Sequence, residues 1–533
     1  MEIVDLSNVT QCSLPKGTSP NADEYCSLVT NTLSCGLFVN LIDFMKIFFC
    51  KFKLSVLPVY GLCNVFMLVG LFSLLHMMTK YFFFPNLVTL IEFAPMTQFG
   101  FSYLFFAPCL LMPYYTSAWP TCSVKVEKLS RLQFAKLIGD AMRHFLTGIM
   151  VLCVRGYKVE GVTLWSCIIF MMLGILYLTL VSNRKHHIHA DNMESSKHLV
   201  LLELRVLAFI LIFCIVLITI LAVSYSTFAR NKLPKKEKHG SFSDMESDDE
   251  ILGSYPKQRI YSRRHIWLQT VNGNRIMRDS HVVYRFLMVP IFFVLAHFIP
   301  VISKDRYLIG WVKYINCLCF LALPVLCLFH QFDAVQFIVV AIVCWTSSLL
   351  VYISTHSMRR PDHVWLYSLL GLAMSSVAMC VLCREIENLT WQYIGLRFDL
   401  LPDLNALMYF GLGEMFSEAI LIKGLQLRKM WDASFGAVMS MTTYGVFLAF
   451  PLLYYHDCYN SNSKIIATAS TETCMLFMLL ILTTSLLHIS MSGYELRTSL
   501  FVYLMAEASV YVIFQWMTHH TSVYPLTFLH NLK

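Results

Sequence analysis

The chain has 533 residues, of which 57% are hydrophobic and only 14% charged, with a formal net charge of +8. A soluble fold this long would need several domains with charged surfaces, at about 25% charged residues. So few charges exclude an ordinary soluble enzyme, a disordered chain and a nucleic-acid-binding domain, and leave a chain whose main solvent is lipid.

The first 30 residues have no apolar stretch and carry Glu2, Asp5, Asp23 and Glu24 against Lys16. They resemble neither a secretory signal nor an Arg-rich transit peptide, so the first apolar run is expected to serve as the insertion signal. Cys12, Cys26, Cys35 and Cys50 precede that run, with a sequon at Asn8-Val9-Thr10. Together they suit an exoplasmic segment, 1–53, with disulfides and a candidate glycosylation site at Asn8. The 18 cysteines contain a single CxxC pair, Cys380-Val381-Leu382-Cys383, and one such pair alone does not make a structural zinc site.

Apolar runs then follow at 54–79, 93–115, 134–154, 162–181 and 199–228, and after a gap at 286–302, 307–329, 334–355, 364–382, 404–425, 434–455, 465–489 and 496–517. The runs at 93–115, 286–302 and 404–425 are the weaker ones. A bilayer takes about 20 mostly apolar residues per helix, so the pattern predicts an all-α polytopic membrane protein with about 12 or 13 transmembrane helices. The run at 93–115 carries breakers at Gly100, Pro108 and Pro113 and no carboxylate, and reads as a broken helix. Its neighbour at 134–154 holds Asp140 and Arg143, three apart and able to pair. Glu203 and Arg205 stand near a helix end, where snorkelling suffices. The run Lys185-His186-His187-Ile188-His189, with His519-His520, lacks the repeated spacing of a histidine-box enzyme and reads as a basic interfacial loop.

Between the halves, 229–285 holds twelve Lys and Arg against seven Asp and Glu. The positive-inside rule places this central loop on the cytoplasmic or equivalent side. Within it, Ser241, Ser243 and Ser247 each have an acidic residue three positions on, the spacing of candidate sites for an acidophilic kinase. The division into a membrane half at 54–228 and another at 286–533 suggests a secondary transporter built from repeats.

The run at 404–425 is the strongest site candidate. Gly411 and Gly413 loosen a helix there, at about 1 kcal/mol each. Glu414 and Glu418 follow at i and i+4, on one face, with Ser417 beside them. Intramembrane carboxylates mark a functional site by default, and two on one face need a proton or cation between them. The bland alternative is an interfacial helix with both carboxylates in water. Glu472 and Glu507, in the last two runs, are candidates to face a bundle interior.

These features resemble the cation/calcium exchanger superfamily, and within it a divergent mitochondrial sodium/lithium/calcium exchanger. KYFFFPNLVTL resembles the stretch ahead of that family's first repeat. IPVISKDRYLIGWVKYINC, with Trp311 and Asn316, resembles the stretch after its central loop, and REIENLTWQYIG its approach to the second repeat. Gly395 to Gly413 matches the family's spacing between a Leu-Gly turn and its Gly-Asn-Ser motif. The motifs themselves depart from the family. Its second repeat reads Gly-Asn-Ser-x-Gly-Asp where this chain has Gly413-Glu414-Met415-Phe416-Ser417-Glu418. Its Ala-Cys-Phe-Gly-Gly is similar to Ala433-Ser434-Phe435-Gly436-Ala437, and its later Asn falls at Met441. In the first repeat its Gly-Asn-Gly-Ala-Pro-Asp aligns with Ala107-Pro108-Cys109-Leu110-Leu111-Met112, where no hard ligand survives and the family's second helix finds too few residues.

The resemblance implies two inverted repeats, the first degenerate, joined by the basic loop. It implies an antiporter moving Ca²⁺ against Na⁺ or another monovalent cation, with Gly413, Glu414, Ser417 and Glu418 at the ion site and Glu414 and Glu418 as the cation ligands. No cofactor is expected beyond the transported ions. The lost first-repeat ligands keep open a non-transporting relative that regulates or assembles with another membrane transporter. The resemblance points to the mitochondrial inner membrane, and the sequon and missing presequence to the plasma membrane or an endomembrane.

Overall fold

The computed structural model describes residues 22–31, 42–52, 57–118, 127–182, 210–225, 267–268, 270–304, 310–328, 334–357, 361, 363–395, 402–449, 468–520, 522–524 and 526. Asn8, the three serines at 241–247, the His cluster at 186–189, Glu203 and Arg205, and most of the central loop lie outside these residues.

The helices are α1 Ala22–Asn31, α2 Leu57–Met78, α3 Phe84–Phe93, α4 Gln98–Ala118, α5 Glu127–Cys153 and α6 Gly161–Ser182. After α7 at Ile210–Tyr225 come α8 Val282–Phe298, α9 Lys313–Leu328, α10 Ala334–Ser354 and α11 Val364–Thr390. The last are α12 Pro402–Tyr409, α13 Leu412–Leu427, α14 Trp431–Tyr444, α15 Ala469–Met491 and α16 Thr498–His519. Six spans among the described residues are long and apolar enough to cross a membrane, Val59–Phe93 being the longest. The chain is an all-α, multi-pass membrane protein.

Two compact units are present: Met1–Phe84, Phe101–Leu217 and Ala373–Lys533 form the first, and Pro85–Gly100 with Ile218–Leu372 the second. In the first unit α5 is the central helix, packed on α12, α13, α14, α15 and α16. Small residues let these helices approach closely, as membrane helices require. A Cβ on Gly139 would lie 2.4 Å from the Leu407 carbonyl oxygen, and one on Gly148 would lie 2.6 Å from the Val438 side chain. The N-terminal segment is tied down by a Cys26–Cys50 disulfide, in line with the cysteine reading.

The expected break in the helix at 93–115 is not found: α4 runs unbroken through Pro108 and Pro113. Each proline lacks an N–H and so frees the carbonyl four residues earlier. The Leu104 carbonyl, freed by Pro108, accepts from the Tyr444 hydroxyl at 2.8 Å. The Cys109 carbonyl, freed by Pro113, accepts from the Ser376 hydroxyl. Ser440 also enters the ladder, donating to the Tyr103 carbonyl at 2.8 Å and accepting from Ala107 N–H at 3.1 Å. Hydroxyls from α14 and α11 thus re-satisfy a helix that prolines would open. Tyr444→Phe is expected to leave the Leu104 carbonyl unmet and to cost about 1–3 kcal/mol, read as a lower melting temperature of the purified protein.

On one side of the helix ends, β1 (Tyr157–Lys158) pairs antiparallel with β2 (Glu495–Leu496). This clip joins the α5–α6 turn to the α15–α16 turn, with Gly156 and Gly493 at φ +69° and +70°. Tyr157 stacks on Trp431 at 5.8 Å and donates its hydroxyl to Asp432. Burial, and then the Asp432 charge, push its phenol well above the ordinary range, so the hydroxyl stays a donor.

In the second unit, α8 packs on α9 and α9 on α10. Pro300 ends α8, and the residue before it, Ile299, is extended at φ −108° and ψ 110°. The unwound backbone that follows is buried and finds its partners in side chains of α3. Asn86 donates to the Pro300 carbonyl at 3.0 Å and accepts from Ile302 N–H at 2.9 Å, while Thr89 donates to the Ile302 carbonyl at 3.0 Å. Trp311, one of the residues that carry the resemblance, is fully buried against Tyr367 at 4.6 Å. Asn316, also buried, caps nothing remote and donates to its own helix at the Val312 carbonyl.

Candidate functional site

The weak run at 404–425 resolves into two helices, α12 and α13, with a turn at Phe410–Gly411. The turn needs glycine, because a Cβ on Gly411 would lie 1.9 Å from Asp140 Oδ1. The ion pair between Asp140 and Arg143 of α5 sits across this break. Arg143 donates to the Leu407 carbonyl near the end of α12, and Asp140 lies at the start of α13. Each charge faces the helix end of opposite partial charge, which stabilises a break that would otherwise leave backbone groups unmet.

One turn to either side of Asp140 on α5, Lys136 and His144 meet carboxylates. The His144 ring bridges two of them, with Nδ1 hydrogen-bonded to Glu418 and Nε2 3.9 Å from Glu414 Oε2. Lys136 Nζ pairs with Glu387 of α11 and stands 3.5 Å from Glu414 Oε1. Lys136, Asp140 and His144 follow one another at i, i+4 and i+8, so one stripe of α5 faces Glu414 and Glu418 on α13. Its centre is withdrawn from solvent, with Glu418 0% and His144 2% exposed, while Lys136, Glu387 and Glu414 are half-buried. Buried charges of this kind persist only when paired. Pairing is incomplete, since Glu414 Oε2, Glu418 Oε1 and Asp140 Oδ2 accept no hydrogen bond.

Of the expected site residues, Glu414 and Glu418 do share a face and come together through His144. Unlike the reading of both carboxylates in water, Glu418 is buried and Glu414 is half-buried. Gly413 is a packing position, where a Cβ would lie 3.1 Å from the Cys383 sulfur. Ser417 turns to a different neighbour: it donates to the Gly413 carbonyl at 3.1 Å and accepts from Thr79 at 3.4 Å. Thr79 opens a π-helical turn, Thr79–Phe83, between α2 and α3. Among the described residues, no three His, Cys, Asp or Glu side chains group as a metal site. His519 and His520 sit at the end of α16 beside Trp516. Glu507 accepts from Thr484 at 2.9 Å, which pairs α16 with α15.

Sequence reasoning missed Lys136, His144 and Glu387. The first two stood in a predicted span, where any charge carries a signal. Glu387 was placed outside, because the run was expected to end at 382 while α11 continues to Thr390. In α4, Ala107 and Leu110 are buried and offer apolar side chains, so that helix meets α14 through hydroxyl and backbone contacts. α4 thus meets α14, while α5 packs on both α13 and α14.

No family model matches the chain, and no solved structure matches it. Among curated proteins, the "Mitochondrial sodium/calcium exchanger protein" of Gallus gallus is 24% identical over 213 residues, 37% of this chain and 35% of that protein. The chain is a divergent relative of it and spans about a third of its length in the match.

Proposed function

We propose that this membrane protein is a cation antiporter of the exchanger type, in which the α5–α13 interface holds the transported cation and alternates between the two sides. The observation that carries this is the broken helix α12–α13, where Asp140, Glu387, Glu414 and Glu418 converge within the membrane bundle and leave buried carboxylate oxygens unmet. Broken helices with polar groups near mid-membrane are where secondary transporters hold ions. The relative's name supports Na⁺ and Ca²⁺ as the exchanged pair and a mitochondrial location. The Cys26–Cys50 disulfide favours instead an N-terminal segment in an oxidising compartment, as at the plasma membrane or an endomembrane.

The test is uptake of ⁴⁵Ca²⁺ into proteoliposomes driven by an outward Na⁺ gradient. Uptake that collapses with the gradient supports the proposal, and tight vesicles without any gradient-driven uptake would sink it. One observation favours a second reading. The expected cation ligands Glu414 and Glu418 already face Lys136 and His144, as in a relative that has stopped transporting and assembles with another membrane transporter. Co-purification of an active exchanger, undiminished by Glu414→Ala and Glu418→Ala, would select it.

A further inference from the structure

We propose that Lys136 is a tethered cation: its ammonium holds the position between Glu387 and Glu414 that a free alkali cation would otherwise take, and so caps the number of cations the site binds. The inference rests on the antiport reading for its consequence in transport, and on geometry alone for its consequence in binding.

Lys136 reaches two carboxylates on two different helices, Glu387 of α11 and Glu414 of α13. Its side chain is 11% exposed, and those of its partners 16% and 14%. A structural pair is complete with one carboxylate. An ammonium shared between two carboxylates from separate helices does what a bound metal cation does: it neutralises both and fastens the helices together. Lysine suits this role because it is a compact point charge on a long stem.

The rest of the cluster shows that cation-binding capacity remains beside the occupied position. Glu418 is fully buried, and its Oε1 accepts nothing. Glu414 gives Oε1 to Lys136, and its Oε2 accepts nothing. Two adjoining positions are therefore present. The one between Glu387 and Glu414 is filled by the protein's own ammonium. The one between Glu414 and Glu418 is reached by the His144 ring and keeps Glu414 Oε2 and Glu418 Oε1 without a hydrogen bond. On this proposal a single free cation binds at the second position, and Lys136 denies the first to any other.

The deciding measurement is equilibrium binding of ²²Na⁺ to the purified full-length chain in detergent, with Li⁺ and ⁴⁵Ca²⁺ as parallel probes. Wild type is expected to bind one Na⁺ per chain. Lys136→Met removes the tethered charge and is expected to raise the count by one. Lys136→Arg keeps a fixed cation and is expected to hold the count at one, so that the count follows the charge at this position, whereas a merely structural role would leave the count the same in Lys136→Met and Lys136→Arg. Glu387→Gln leaves Lys136 to Glu414 alone, and Na⁺ affinity is expected to fall by about tenfold or more.

An unaltered count in a monodisperse Lys136→Met protein would overturn the inference, and so would loss of all binding in it. Should Lys136→Met fail to fold, unchanged affinity in Glu387→Gln would overturn the inference and the expected fall would support it. Failure of the antiport reading is separable. Absence of flux and of Na⁺ binding in wild type, with one Na⁺ bound by Lys136→Met, sinks antiport and keeps the tethered cation. Flux in wild type with equal counts in both proteins does the reverse.

Discussion

Arg143→Met is expected to destabilise the protein by about 3–5 kcal/mol, the cost of stranding a buried charge. Arg143 serves both halves of the break between α12 and α13. It pairs with Asp140 and donates to the Leu407 carbonyl. Without it, Asp140 keeps a buried carboxylate at the turn, and the Leu407 carbonyl loses its donor. The double replacement Asp140→Leu with Arg143→Met is expected to recover much of the loss, because no isolated charge then remains. Thermal unfolding in detergent reads both. A single variant that melts with the wild type would mean that the pair does not hold the break.

The second large effect is on transport. Glu418→Gln is expected to lower gradient-driven cation uptake by about 100-fold, the upper range for removing a group that fixes a bound cation. Glu414→Gln is expected to do less. Glu418 is fully buried, gives Oε2 to His144 and keeps Oε1 without a hydrogen bond, whereas the half-buried Glu414 divides its charge between Lys136 and His144. A larger loss from Glu414→Gln than from Glu418→Gln would reverse the assignment of the two carboxylates.

Much of this architecture could be read from the chain. The apolar runs place α6, α8, α10, α15 and α16 within a few residues, because lipid imposes one length on every spanning helix. The pairing of Asp140 with Arg143 and the shared face of Glu414 and Glu418 followed from helical spacing. What could not be read depends on contacts distant in sequence. Pro108 and Pro113 are local signals for a break, and the hydroxyls of Tyr444 and Ser376 that cancel them come from helices far along the chain. The partners of the two glutamates were likewise hidden. Lys136 and His144 lie on α5, and only its packing against α13 brings them into the same cluster. Glu387 lay beyond the last apolar residue of its run, where composition stops being a guide although the helix continues.

The two-residue clip between β1 and β2 has a mechanical consequence. It fastens the C-terminal end of α5 to the α15–α16 turn, and the Tyr157–Trp431 stack adds the start of α14 to the same knot. Lys136 and His144 lie about 15–25 Å from that end at 1.5 Å per residue. α5 is therefore a lever with a fixed fulcrum. A small tilt at the clip becomes a displacement of several ångströms at the charged stripe, while the knotted ends keep their distances. Spin labels at Lys158 and Glu495 should hold one separation under all ionic conditions, and the moving parts of any transport cycle should be sought toward the other end of α5.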